Sequence, residues 1–455
     1  MVHTFTSLGC RIALDVSSGA VHVLDRVTYE VLRRVEHLPS LPEHCPEEVR
    51  AAVQAAPGEV DEAWAELREL EAQGLLFAPE DYINPEWAVL KNAPVKALCL
   101  NVAHDCNLRC KYCFASTGDF GTGRKIMPFE TAKRAIDFVV QRSGKRRNIE
   151  VDFFGGEPLL AWDTVVRTVD YARSLEEKHN KKFRFTITTN GMLLDQEKMD
   201  YINREMKNCV LSLDGRREVN DDQRPTAGGQ GSYDRIVPRY QKLVAGRGDQ
   251  EYYLRGTYTK KHPDFAADVM HIADDLGFRN VSVEPATGKP GDPWAITENE
   301  LEAAKADYDK LAEALVHRPE INFFHFFVDL EQGPCVIKRM RGCGAGSEYV
   351  AITPEGDIYP CHQFVGNEDF KMGNVYDGSF DTDLADTFAG LNIYTKPDCQ
   401  KCWAKFYCSG GCAAGGYQAN GDLKKPSFVA CELERKRLEC AIAIKAVRAG
   451  LAEAE

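Results

Sequence analysis

Three cysteines lie close together in the stretch Cys106-Asn-Leu-Arg-Cys110-Lys-Tyr-Cys113. Three thiolates at this spacing can bind three irons of a cubane [4Fe-4S] cluster, which leaves the fourth iron open to a reactant. A structural zinc site needs four closed ligands, and no fourth cysteine or histidine follows within a few residues, although His104 lies just upstream. The loop therefore predicts a reactive iron–sulfur centre, and a zinc knot is the alternative.

A second set of seven cysteines lies in the last third of the chain. Its spacing is Cx12Gx4C, then CxxCx5CxxxC, then one more cysteine, and its members are Cys343, Cys361, Cys399, Cys402, Cys408, Cys412 and Cys431. Seven thiols exceed one metal site, although the CxxC pair alone is typical of zinc ribbons. A large chain without an export signal keeps its thiols reduced, so the 16 cysteines indicate metal ligation rather than disulfides.

Elements that alternate between strand and helix must position the first loop. Between residues 95 and 290, strand-like segments alternate with helical ones, which predicts an α/β fold with parallel strands, a partial (β/α)6 barrel. The strand candidates are 95–102, 149–153, 184–189, 209–213, 252–258 and 280–283. Almost every one runs directly into an unusual polar motif. Because the carboxyl ends of barrel strands meet at one mouth, we expect a shared active site there.

Smaller units flank this barrel. Residues 4–25 alternate like short strands with a turn at 17–19, and helical periodicity covers 27–35, 46–55 and 60–73, as in a winged-helix-like unit. The predicted divisions are a recognition domain (1–80), a linker (81–94), the barrel (95–325), and a cysteine-rich domain (326–455) that ends in a helix over about 431–450.

Composition excludes several classes of protein. With 44% hydrophobic and 27% charged residues, the chain is an ordinary globular protein. No apolar run approaches the ~18 residues of a membrane span, and no export signal is present, so a cytoplasmic location is expected. Residues 1–90 carry 16 carboxylates, six arginines and no lysine, which is −10 of the total charge of −13. Such an acidic face argues against nucleic acid as a partner.

The barrel motifs resemble those of the radical S-adenosylmethionine (SAM) superfamily. Its CxxxCxxC loop has an aromatic residue before the last cysteine, here Tyr112, and its GGEP motif is similar to Gly155, Gly156, Glu157 and Pro158. The resemblance implies that the glycines approach the methionine amino group of SAM and that the glutamate helps to hold it. It also implies cofactor contacts for Ser212, Asp214 and Arg224, with Glu284 contacting cofactor or substrate. Read without the resemblance, these residues are equally a turn, helix caps or a surface pair.

The second cysteine set resembles the SPASM extension of radical enzymes that modify peptides. By that resemblance Cys399, Cys402, Cys408 and Cys431 bind one auxiliary [4Fe-4S] cluster, and Cys343, Cys361 and Cys412 bind another, giving three clusters in all. The fourth ligand of the latter is either Cys335 or a substrate thiolate. Five other cysteines are expected to be buried hydrophobic residues: Cys10, Cys45, Cys99, Cys209 and Cys440.

The acidic head resembles the recognition element of enzymes that tailor ribosomally made peptides. There a leader segment pairs with an edge strand, here 20–25, and packs on a helix, here 60–73. The whole chain is similar to SCIFF-type maturases, which implies thioether crosslinks in a cysteine-rich precursor peptide and a reduced electron donor. The alternatives are another SPASM chemistry, such as formylglycine formation or carbon–carbon crosslinking, and a non-catalytic iron–sulfur redox regulator.

Overall fold

The computed structural model describes residues 1–81, 84–89, 92–286, 288–330 and 339–451. Cys335 lies outside these ranges, so its role as a ligand stays a prediction. Among the described helices, none is both long enough and apolar enough to cross a membrane.

The chain begins with a small antiparallel sheet and a group of helices. The strands are β1 (Val2–Ser7), β2 (Cys10–Asp15) and β3 (Val21–Val23), with β2 in the middle. The helices are α1 (Arg26–Val35), α2 (Glu47–Ala52) and α3 (Pro57–Ala72). Asp25 caps α1 by accepting hydrogen bonds from the backbone of Val27 and Thr28, which fixes where the helix begins. The elements come in the predicted order, and their description as a winged helix stays a prediction.

A mostly parallel sheet forms the centre of the molecule. Its strands in this part of the chain are β4 (Ala97–His104), β5 (Lys125–Ile126), β6 (Asn148–Gly155), β7 (Lys182–Thr189), β8 (Met206–Ser212), β9 (Glu251–Tyr258), β10 (Asn280–Pro285) and β11 (Asn322–Phe323). The six long strands are parallel neighbours in chain order, β11 extends the sheet beyond β10, and β5 pairs antiparallel with β4. All six predicted strands are present, each within three residues of its predicted limits.

Helices connect these strands and cover the sheet. They are α4 (Phe129–Arg142), α5 (Trp162–His179), α6 (Gln196–Glu205), α7 (Arg217–Gln223), α8 (Tyr233–Ala245), α9 (Phe265–Met270) and α10 (Leu301–Leu315). Large side chains such as Phe153, Phe185 and Tyr240 are fully buried between the layers. Burial of apolar surface contributes about 25 cal/mol of stability per Å², so the contact between the helices and the sheet is the main source of stability. The α/β fold is therefore confirmed, and its closure as a (β/α)6 barrel stays a prediction.

The cysteine-rich region is built onto the same sheet. Its strands are β12 (Tyr349–Ile352), β13 (Asp357–Tyr359), β14 (Gly373–Asn374) and β15 (Ser379–Phe380). Its helices are α11 (Thr382–Ala389), α12 (Pro397–Gln400), α13 (Lys405–Cys408), α14 (Ala413–Asn420) and α15 (Phe428–Arg448). Strand β12 pairs in parallel with β4, with Tyr349 opposite Ala97, so this region shares the sheet with the barrel strands. Periodicity did not predict this extension, because the strands are too short to show a pattern.

Candidate active site

A cavity of about 170 Å³ opens at the carboxyl ends of the parallel strands. Nine of the predicted residues line it: Cys106, Cys110, Tyr112, Cys113, Gly155, Gly156, Ser212, Arg224 and Glu284. Glu157, Pro158 and Asp214 are not among the residues that line it. The structure thus brings the cysteine loop, the glycines and the ends of four further strands, β7, β8, β9 and β10, to one place, as the strand order predicted.

Close backbone contacts join the glycine motif to the cysteine loop. The Gly156 amide donates to the Ala103 carbonyl (2.8 Å), and the Glu157 amide donates to the Asp105 carbonyl (2.9 Å). A methyl group on Gly156 would lie 2.2 Å from the Asp105 carbonyl oxygen. Gly155 has φ +127°, a conformation that side chains other than glycine rarely adopt. Only glycine therefore fits between β6 and the residue that precedes Cys106.

Glu157 ties the motif to the next strand. Its side chain is fully buried, and its carboxylate accepts hydrogen bonds from the Thr189 hydroxyl (2.8 Å) and the Asn190 backbone amide (2.8 Å). Burial raises the pKa of Glu157 to about 7. The carboxylate thus holds the end of β7, and its predicted contact with the SAM ammonium group stays a prediction.

Asn190 is a residue that the sequence analysis missed. Its side-chain amide donates to Asn107 Oδ1 (2.8 Å) and to Cys106 Sγ (3.5 Å). It therefore connects the Glu157 carboxylate to the first cysteine of the loop. The available signal was its position directly after a predicted strand, in the run Thr189-Asn190-Gly191.

A buried cluster of polar groups holds Arg224 at the cavity wall. Asp214 accepts hydrogen bonds from the Tyr112 hydroxyl (2.8 and 2.9 Å) and from the Thr257 amide (2.8 Å), and it pairs with Arg224 Nε at 2.9 Å. Burial raises the pKa of Tyr112 well above its usual range, so the hydroxyl remains a donor. Asp214 thus orients Arg224 and Tyr112.

An aromatic wall links three motifs. Phe114 follows Cys113, Phe154 precedes Gly155, and His362 follows Cys361. The His362 ring lies 5.3 Å from Phe114 and 4.9 Å from Phe154, measured between centroids, and all three residues line the cavity. The cysteine-rich domain therefore contributes directly to the wall of the main cavity, which helps to exclude water.

An ion pair between Arg255 and Glu284 also lines the cavity. Burial alone would raise the pKa of Glu284, but Arg255 lowers it below the usual value, so this carboxylate is ionised. A fixed pair of opposite charges at the cavity edge can bind the polar ends of a cofactor or a peptide.

The three loop thiols are held in a dry environment. Burial raises the pKa of Cys106 and of Cys110 to about 12, and it also raises the pKa of Cys113. Thiols with such pKa values are protonated in the free chain, and metal binding would deprotonate them. Three thiols that share one cavity match the donor set of a cluster with one open iron.

Cys343, Cys361 and Cys412 form a second group, here called the proximal group. Burial is the main cause that raises the pKa of Cys361 to about 12, and Cys412 and Cys343 act on it in the same direction, as thiols within electrostatic range of Cys361 do. Cys361 is buried, whereas Cys343 and Cys412 are exposed. Because Cys361 precedes His362, this group lies directly behind the wall of the main cavity.

Cys399, Cys402, Cys408 and Cys431 form a third group, here called the distal group. All four line a separate cavity of about 380 Å³ between the α12–α13 segment and the first turn of α15. Arg435, one helical turn after Cys431, has its Nη1 atom 3.8 Å from Cys402 Sγ. The two groups contain the same cysteines that the resemblance assigns to two clusters.

The described ranges contain no group of three or more His, Cys, Asp or Glu side chains arranged to hold a metal ion. A four-iron cluster places iron and sulfide between its thiols, which is a different arrangement. The five cysteines outside the three groups, Cys10, Cys45, Cys99, Cys209 and Cys440, are buried, which confirms their expected burial.

One edge of the N-terminal sheet is covered and the other lies beside a helix end. On β1, His3 Nε2 donates a hydrogen bond to the Glu439 carboxylate of α15 (3.0 Å), and the His3 ring stacks on Trp403 at 4.0 Å. On β3, His22 bonds the Leu75 carbonyl just beyond α3 (3.0 Å). Strand β3 pairs only with β2 in the described sheet, so its outer edge is the one available for a further strand.

Comparison with known proteins identifies the family. Residues 100–256 match the radical SAM superfamily, and residues 343–403 match SPASM, an iron–sulfur cluster-binding domain. An uncharacterized protein of Methanocaldococcus jannaschii is 34% identical over 285 residues, which cover 62% of this chain and 90% of that protein. The chain therefore contains a radical SAM domain and a SPASM iron–sulfur cluster-binding domain.

More distant relatives include two named maturation enzymes. The mycofactocin maturase MftC of Mycobacterium ulcerans is 29% identical, with 74% of this chain and 87% of that protein covered. A cysteine-type anaerobic sulfatase-maturating enzyme of Clostridium novyi is 23% identical, with 68% and 85% covered. The crystal structure of Streptococcus suis SuiB bound to S-adenosylmethionine has a TM-score of 0.52 at 16% identity, covering 94% of this chain and 98% of that one. That last likeness concerns the fold.

Proposed function

We propose that this protein forms sulfur-to-carbon thioether crosslinks in a ribosomally made, cysteine-rich precursor peptide. The observation that carries the proposal is the shared wall of the main cavity. His362 lines the cavity and follows Cys361 of the proximal group, so a substrate thiol and a substrate carbon can be held within one enclosed space. Simple oxidation or carbon–carbon crosslinking has no need of a thiol site at this position.

The proposed roles follow the lining of the cavity. Cys106, Cys110 and Cys113 would bind the first [4Fe-4S] cluster, and Gly155, Gly156, Ser212 and Arg224 would contact SAM. When bound, the cofactors supply a 5'-deoxyadenosyl radical that removes one hydrogen from the substrate and auxiliary clusters that take up one electron, while one proton leaves the thiol. The Arg255–Glu284 pair would orient the substrate, and the aromatic wall would exclude water from the radical.

The proximal and distal groups would each hold an auxiliary cluster, which gives three clusters in total. The proximal group offers three cysteines within the described residues, so its remaining position would be filled by a substrate thiolate or by Cys335. A thiolate bound to iron is deprotonated and held in place, which prepares the sulfur for bond formation.

The N-terminal domain (1–80) would select the substrate. A leader segment would add to the outer edge of β3 and pack against α3, where backbone hydrogen bonds give affinity. The other proposed units are a linker (81–94), a barrel (95–325) and a SPASM domain (326–455), in a cytoplasmic protein that receives electrons from a reduced donor. Formylglycine formation is the second candidate function, because one relative is a sulfatase-maturating enzyme.

Mass spectrometry after anaerobic turnover tests the proposal. A cysteine-rich peptide encoded beside the gene would be incubated with enzyme, SAM and dithionite, then reduced and alkylated. A thioether bridge removes two hydrogens, keeps the sulfur, and leaves that cysteine resistant to alkylation. A carbon–carbon crosslink would leave every thiol reactive, and formylglycine formation would remove a sulfur atom, so either result contradicts the proposal. The variant with Cys106, Cys110 and Cys113 all changed to Ala is the matched control.

A further inference from the structure

Lys396 is a buried cation between the proximal and distal groups. Only 2% of the surface of Lys396 is exposed to solvent. Its ammonium group donates a buried hydrogen bond to the Gly410 carbonyl oxygen (2.7 Å). Across the ranges that the structure describes, it forms no ion pair with a carboxylate. Burying an ammonium group without a compensating negative charge is costly, so an anion is expected close to it.

The position of Gly410 relates Lys396 to both cysteine groups. Gly410 lies midway between Cys408 of the distal group and Cys412 of the proximal group. Ser409, Gly410 and Gly411 have φ of 59°, 89° and 67°, so the chain turns sharply here through three left-handed residues. The ammonium group is therefore anchored to the turn that carries the chain from one group to the other.

Two further contacts place Lys396 beside each group. Its own carbonyl accepts a hydrogen bond from the Cys399 amide (3.0 Å), at the start of the distal group. Its side chain shares a small cavity with Cys343 of the proximal group.

We propose that Lys396 is a positioning residue that serves as the shared counter-charge of the two auxiliary clusters and raises the reduction potential of both. This inference rests on the cluster ligands of the proposed function. A fixed positive charge stabilises the reduced, more negative state of a nearby cluster. Lys396 thereby favours transfer of the electron that the substrate loses as the carbon–sulfur bond forms.

Redox titration of the full chain tests this inference. The three loop cysteines would be changed to Ala so that only the auxiliary clusters give electron paramagnetic resonance signals. Lys396→Met should shift both midpoint potentials to more negative values, and Lys396→Arg should leave both close to their original values. Arg435→Met is the matched control, because Arg435 contacts Cys402 of the distal group and pairs with Glu432, so its loss should shift the potential of the distal cluster only. Unchanged potentials, or a shift of only one, in fully loaded Lys396→Met would overturn the inference.

Thermal unfolding provides a second measurement, which applies even if Lys396→Met takes up iron poorly. In the iron-free chain the ammonium group has no compensating anion, so Lys396→Met should keep or raise the Tm relative to the unsubstituted chain. In loaded protein the same change should lower the Tm. A lower Tm in the iron-free chain would assign Lys396 a packing role and overturn the inference. Iron and sulfide analysis distinguishes failure of the inference about Lys396 from failure of the proposed function. Too little iron for three clusters in the unsubstituted protein would contradict the proposed function itself.

Discussion

At the scale of single residues, the site depends on contacts of individual residues that another residue type could not make. Asp214 is fully buried and depends on Tyr112, Thr257 and Arg224 to satisfy its oxygens. Gly156 lies against the Asp105 carbonyl with no room for a side chain. Both contacts act on groups that line the cavity, so a change of one or a few atoms should affect stability and cofactor binding together.

Removing the Tyr112 hydroxyl should destabilise the chain. Tyr112→Phe leaves the buried Asp214 carboxylate with fewer donors, and a hydrogen bond to a charged group contributes about 1.5–3 kcal/mol. We expect a loss of that size in the free energy of unfolding, with a higher KM for SAM because Arg224 is less well held. Urea denaturation of the iron-free chain measures the first effect.

Tyr171→Phe is the control for this change. The Tyr171 hydroxyl donates to Asp137 (2.6 Å) at the exposed surface, where loss of the bond should cost less than about 0.5 kcal/mol. Equal losses in the two variants would show that the Asp214 cluster has no special importance.

A methyl group at Gly156 should separate the two motifs. In Gly156→Ala the new atom would meet the Asp105 and Gly118 carbonyl oxygens at 2.2 and 2.8 Å, and backbone oxygens at a strand end cannot move aside cheaply. We expect at least a tenfold fall in the rate of SAM cleavage, measured as 5'-deoxyadenosine. Gly228→Ala is the control, because its nearest neighbour would lie at 3.9 Å. A Gly156→Ala enzyme as active as Gly228→Ala would refute the argument.

At the scale of elements, strand edges and helix ends decide what can bind where. Helix α15 contributes Cys431 and Arg435 near its start and Glu439 against β1 one turn later. The same helix therefore closes the distal group and covers one edge of the N-terminal sheet. The outer edge of β3 is left as the place for a leader peptide.

A proline on the outer edge of β3 should block the leader without breaking the hairpin. Leu24 and Ala20 bond to β2 through Arg11 and Asp15, so by alternation the Val23 amide points away from β2. Val23→Pro removes that donor, and we expect at least a tenfold weaker affinity for the leader peptide in calorimetry.

Two control measurements show whether Val23→Pro leaves the fold and the cofactor chemistry intact. Circular dichroism should match that of the unsubstituted chain, and SAM cleavage without peptide should be unchanged, because no residue of β3 lines the main cavity. Undiminished leader affinity in a folded Val23→Pro variant would mean that the leader binds elsewhere.

At the scale of the whole molecule, the N-terminal domain docks on the distal group. Glu80 accepts hydrogen bonds from Lys405 (2.5 Å) and from the Tyr394 hydroxyl (2.8 Å). An apolar cluster extends this contact and contains Val16, Ala88, Met340, Ile393, Cys399 and Phe406. Because Cys399 belongs to both this cluster and the distal group, iron binding and domain docking should be coupled.

Removal of iron should therefore loosen the N-terminal domain. Without a cluster the distal cysteines lose their shared ligand, and the packing of Cys399 within this apolar cluster weakens. We expect limited proteolysis to cut between residues 78 and 96 several-fold faster in iron-free than in loaded protein. Glu80→Gln should raise cleavage of the loaded protein as well. Equal cleavage rates with and without iron would contradict the coupling.

Much of this organisation could be predicted from the sequence. Cysteine spacing separates the loop from the seven-cysteine region, because ligand chemistry depends on residue type and local distance. The six parallel strands follow from local alternation of strand and helix patterns, and their order places the loop, the glycines and Glu284 at one mouth. These features depend on neighbours along the chain, which a sequence displays directly.

Other features were decided only by the tertiary structure. Three features connect residues far apart in the chain: Asn190 joins Glu157 to Cys106, the His362 ring packs against Phe114 and Phe154, and β12 extends the sheet beside β4. From the sequence, Lys396 would be predicted to be an exposed surface lysine, whereas the structure buries it beside Gly410. Such contacts depend on how the elements pack in space. The burial of a charge, and its pairing with a residue distant in the chain, produce no periodicity or residue spacing that can be recognised in a single sequence.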